Sequence, residues 1–157
     1  MPNKPTRIEN STLARNARED LYHRAYSRVN KAIATGFHIE AIAILESLMC
    51  DRLENLLQAI HPDSRVELGS LGKLYNSVNR EIEIPEILLS DLKQWNKARG
   101  HVIHQLVKIS DVEAASWRER MAFARKTSRE GKLILNDLRK FTDPKAKHLR
   151  NAKRAPE

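Results

Sequence analysis

The chain is poor in the residues that mark several protein classes. Cys50 is its single cysteine in 157 residues, so an internal disulfide is excluded and a reducing compartment, the cytoplasm, is the expected setting. Within its apolar stretch, that thiol reads as a small core residue. Five glycines and six prolines are few, and no alternation of apolar and polar residues lasts long enough to make a strand. An all-α fold is what remains. The longest unbroken apolar run, Ala41-Ile42-Ala43-Ile44-Leu45, is far below the roughly 20 residues of a membrane-spanning helix. The opening Met1-Pro2-Asn3-Lys4-Pro5-Thr6-Arg7 is polar with no apolar segment behind it, unlike a secretory signal. Gly69 and Gly72 flank Leu71 in Leu68-Gly69-Ser70-Leu71-Gly72-Lys73, but no strand precedes them and no Gly-Lys-Ser/Thr follows, so a phosphate loop is excluded.

Negative charge is also scarce, and only at one end. Residues 1–117 hold 15 Lys and Arg against 15 Asp and Glu, whereas residues 118–157 hold 13 against 5. The whole formal net charge of +8 therefore falls in the last 40 residues. Positive charge so concentrated attracts phosphates, such as a nucleic-acid partner would supply, by releasing their counterions. The alternative is a solvated basic face.

Hydrophobic periodicity predicts about four long helices and one short one, packed as a bundle. A polar arm over residues 1–12 precedes a first helix from Leu13 to Thr35, with Leu21, Ala25, Val29 and Ala32 or Ile33 facing inward. Gly36 breaks it. A second helix runs from Phe37 to Ile60 and stops at His61-Pro62. Ser70 is placed to cap a short third helix that fades before Pro85, and Glu86 opens a fourth that extends to Ile109. Asp111 is the expected cap of a fifth helix ending near Phe141, with Trp117, Met121, Ala124, Leu135 and Leu138 on its inner face. Arg118, Arg125, Arg129, Lys132 and Arg139 form a basic stripe beside that face. The domain then spans 13–142, and residues 143–157 form a loose basic tail.

The fourth helix carries the chemistry. Leu92, Trp95, Val102 and Leu106 make its apolar stripe, and Arg99 falls on the same stripe. A guanidinium there needs a carboxylate, a phosphate or a wet cleft, because its desolvation costs several kcal/mol. Glu46 also faces inward, from the second helix, and is the expected ion-pair partner. His104 stands five residues beyond Arg99 and points away from the stripe, so the two converge only at a groove edge or where two copies of the helix meet. Lys97 and Lys108 flank the motif and add attraction for phosphate.

This Trp-x-x-x-Arg-x-x-x-x-His helix, with two long helices joined at Gly36 and a short Leu-Gly-x-Leu-Gly-Lys-Leu helix before it, resembles the HEPN (higher eukaryotes and prokaryotes nucleotide-binding) superfamily from about residue 20 to 140. The resemblance implies an all-helical bundle, usually a homodimer, and in many members a metal-independent endoribonuclease of toxin or defence systems. An antitoxin or other regulatory protein is then a further expected partner. Arg99 would clamp the scissile phosphate and His104 would move protons, giving a 2′,3′-cyclic phosphate. Glu46 and Asp51 would support the arginine. The family usually has Asn, Asp or His after the motif arginine, and here Gly100 stands there; His101 is the candidate to take over. His101 and His104 form His-x-x-His without a Cys or Glu companion at helix spacing, so neither metal nor cofactor is expected. Two other readings compete: a non-catalytic HEPN-like module that binds nucleotide or nucleic acid, and a structural helical protein docking on an acidic partner.

Overall fold

A computed structural model describes residues 12–64, 69–106, 108 and 116–153. Among the described residues the fold is all-α: α1 (Thr12–Thr35), α2 (His38–Ile60), α3 (Leu71–Glu81), α4 (Glu86–Gln105) and α5 (Trp117–Ala152). The expected arm lies outside the described residues except for Thr12, which opens α1, and so does the expected cap Asp111.

α2 is the most apolar of the five in sequence and occupies the centre, touching α1, α3, α4 and α5. Ala41, Ile42, Leu45, Met49, Leu53 and Leu56 recur at three- and four-residue steps and are wholly buried. The turn from α1 to α2 depends on one glycine. Gly36 has φ +84, a left-handed conformation that costs a residue with a Cβ. It lets the Phe37 amide donate to the Ala32 carbonyl at 2.8 Å and its own amide to Ile33 at 3.4 Å, closing the helix end. Arg28–Glu40 and Arg18–Asp51 pairs, both 2.6 Å, then fix α1 antiparallel to α2. Leu21 was expected inside but is 67% exposed; Tyr22, one position on, takes the inward place.

α5 runs parallel to α2. His38 meets Ser128, Arg52 meets Asp143, and Lys153 reaches the carbonyls of Ala59 and Ile60. The start of α5 is set by Ser116, not by an upstream aspartate. Its hydroxyl accepts from the Glu119 amide, and the Glu119 carboxylate accepts from the Ser116 amide at 2.7 Å. This capping box was written in the sequence as Ser-Trp-Arg-Glu. The far end departs further from expectation. Residues 143–152 are not loose: α5 continues through Pro144, and Ala146 is 1% exposed. A proline inside a helix normally costs about 3 kcal/mol. Burial of Ala146, the Arg52–Asp143 pair and the bond from Arg150 to Asn55 hold the helix together across it.

α4 runs antiparallel to α5 and ends at Gln105, short of Ile109. Trp95 joins the two helices. Its indole N–H donates to the Thr127 carbonyl at 2.8 Å, and its ring lies so close to α5 that a Cβ at position 131 would stand 2.5 Å from Nε1. Arg120 donates to the carbonyls of Gln105, Leu106 and Lys108, so a cation of α5 satisfies the exposed carbonyl end of α4. Lys153 does the same for α2.

Candidate nucleic-acid interface and active site

Arg99 is held by its own chain. Its Nη2 lies 3.0 Å from Glu46 Oε1 and donates to Asn96 Oδ1 at 2.8 Å. The ion pair expected from two inward-facing positions on α2 and α4 is therefore present. Both contacts use one nitrogen, and the buried Nε has no partner among the described residues. The pair is half-buried, with 20% of the arginine side chain and 27% of the glutamate exposed. Asn96 was not anticipated. It precedes Arg99 by three residues, one helical turn, and that spacing was its available signal.

Asp51 does not support Arg99; it pairs with Arg18 on α1. Cys50, next to it, is half-buried, and its thiol is pushed up to about 11, first by burial and then by the Glu46 and Glu54 carboxylates. It stays protonated and inert near neutral pH.

His104 is exposed, and so are Lys97, His101 and Lys108. Five residues at about 100° each separate His104 from Arg99 by roughly 140° around α4. The structure thus leaves the two on different sides of one helix. Gly100 lies between them on the wheel, and nothing stands within 4 Å of where its Cβ would be. Lys97, two turns before His104, shares its exposed face. His101 turns toward α5 instead, edge-on to Phe123 with ring centres 5.3 Å apart. Among the described residues no three His, Cys, Asp or Glu side chains are grouped to hold a metal ion.

The basic stripe on α5 divides in two. Arg139 stacks on the Tyr22 ring at 4.7 Å and lies 3.8 Å from Asp143, and Lys140 pairs with Asp137 at 2.8 Å. With Arg120, Arg150 and Lys153 these cations serve the fold. Arg118, Arg125 and Arg129 are exposed and make no ion pair with a described residue. Lys132 is half-buried, with its ammonium 5.7 Å from the Tyr26 ring. Arg125 and Arg129 stand close to the buried His38. Burial pushes that imidazole below its ordinary range, and the two guanidiniums push it further. Trp117, expected in the core, is 62% exposed.

No helix among the described residues is long and apolar enough to cross a membrane. Comparison of the chain with protein-family models, with curated proteins and with solved structures finds no match.

Proposed function

We propose that the protein binds RNA through α5 and cleaves it without a metal, using Arg99 of one copy with His104 of another. The observation that carries this reading is the setting of Arg99. Glu46 and Asn96 hold its guanidinium from one side at a half-buried position, which pre-orients a planar donor for a phosphate. His104, across the open flank at Gly100, is exposed and accessible to a partner. A second α4 laid along that flank brings the two groups together, as a two-fold contact repeats one surface patch on both copies. His104 would then take the proton of the ribose 2′-hydroxyl, or give one to the leaving 5′-oxygen, while Arg99 steadies the charge on the phosphate. An all-helical bundle with this motif is in keeping with the HEPN-like reading, in which toxin or defence biology follows.

Mixing tests the composite site. Arg99→Ala and His104→Ala should each abolish cleavage in the presence of EDTA. Mixed and re-equilibrated, they should regain about a quarter of the activity, because half the dimers are mixed and one of their two sites is intact. Cleavage in both single variants, or a monomer by sedimentation, removes the proposal. A second reading, a non-catalytic RNA-binding bundle, is favoured by one fact: both contacts of Arg99 are made within its own chain, as in a structural ion pair. RNA binding with no cleavage by the unaltered protein selects it.

A further inference from the structure

At the corner where α2 and α5 begin, a shallow groove is lined by Phe37, His38, Trp117 and Met121, with Glu40 at its edge. Phe37 and Trp117 are both 62% exposed, an unusual placement for two large aromatic rings in a domain with so few of them. Along α5, Trp117, Met121, Arg125 and Arg129 follow at four-residue intervals, so they form one inclined ridge that rises about 18 Å while winding about 120° round the helix. The first half of that ridge is apolar and the second half cationic. The carboxylate bordering the groove, Glu40, is already paired with Arg28 at 2.6 Å. Arg125 and Arg129 have no such partner among the described residues, and their charge reaches His38 on the groove floor. Neither side chain contributes to the core.

We infer that this groove and ridge form a binding site for single-stranded RNA, in which a base stacks on Trp117 and the following phosphates lie against Arg125 and Arg129. An apolar peptide or a second copy of the chain would cover the rings but leave the guanidiniums without counter-charge. A nucleic-acid single strand supplies both a π-face and a line of phosphates. A duplex does not, because its bases are already stacked on each other. The inference rests on the RNA-binding part of the reading above and names where on the chain the strand is held. It places that contact at the end of the bundle to which the His104 end of α4 also runs, since Arg120 ties the start of α5 to Gln105.

The test is a titration of tryptophan fluorescence with a short 2′-O-methyl oligouridylate, which lacks the nucleophile for cleavage. Trp95 is buried and bonded to Thr127, so stacking reports through Trp117. Saturable quenching is expected with the single strand and not with its duplex. Trp117→Phe should lose the quenching while keeping most of the affinity. Trp117→Ala should weaken binding roughly tenfold. Arg125→Gln with Arg129→Gln should reduce the log–log salt slope by about 1.4, at about 0.7 per phosphate contact. Because Trp117 is exposed, its variants should unfold at the same temperature as the unaltered protein. Equal affinity in Trp117→Ala, or equal quenching by duplex, overturns the inference. So does a change in sedimentation of Trp117→Ala with RNA affinity unchanged, which would give the groove to a second copy. Quenching that persists where no cleavage is found leaves this site standing and removes the nuclease. Cleavage without quenching does the reverse.

Discussion

A Cβ on Gly131 would lie 2.5 Å from Nε1 of Trp95 and 2.7 Å from its Cε2. In an open helix, alanine in place of glycine gains about 1 kcal/mol. Here the ring is pinned by its bond to Thr127 and cannot retreat, so Gly131→Ala should destabilise by about 1–3 kcal/mol in urea unfolding. Combined with Trp95→Phe, the loss should be smaller than the sum of the two. Glu46→Gln should lower stability by about 1–2 kcal/mol, below the roughly 3–5 of a fully buried pair. The reason is that Arg99 and Glu46 remain 20% and 27% exposed and retain some hydration. His38 makes stability depend on pH. Its imidazole is held below the ordinary histidine value of 6.5 in the fold, by burial first and by Arg125 and Arg129 after it. The unfolded chain then binds a proton that the folded chain refuses. The contribution of His38 is complete above 6.5 and is lost as pH falls through the lower folded value. His38→Gln, which keeps a hydrogen-bonding group for Ser128, should flatten the fall in melting temperature between about pH 7.5 and about pH 5.5. An unchanged slope would assign that fall to other groups.

α5 closes the bundle and also ends two other helices, through Arg120 at α4 and Lys153 at α2. Its last third is therefore structural. Deleting residues 143–157 removes Asp143, leaving Arg52, only 15% exposed in its side chain, without its carboxylate. It also removes the buried Ala146 and uncovers the end of α2. A loss of about 3–5 kcal/mol is expected, read as a lower unfolding midpoint. A truncated chain as stable as the whole would mean that the helix beyond Pro144 adds nothing. The start of this helix was legible from Ser116 and Glu119, three residues apart. Its end was not, because proline is a local signal to stop, and contacts with α2, far away in sequence, outweigh it.

For the whole molecule, net charge overstates what an RNA strand would meet. The last 40 residues hold 13 Lys and Arg, but Arg120, Arg139, Lys140, Arg150 and Lys153 are engaged within the chain. If Arg118, Arg125, Arg129 and Lys132 carry the contacts, filter binding across a salt series should give a log–log slope near −3, about 0.7 per phosphate for four contacts. A slope near −9 would mean that every cation of that segment takes part. Composition and apolar spacing determined the all-helical class, the burial of α2 and Trp95, and the inward placing of Glu46 and Arg99. These follow from the period of a helix, which each segment carries in itself. The tertiary structure alone decided that Asp51 turns to Arg18, and that Trp117 is left outside while Ala146 is taken in. Periodicity says which residues of one helix share a face. Whether a helix end is covered depends on how far its neighbours extend, and that is set only when the other four pack against α2.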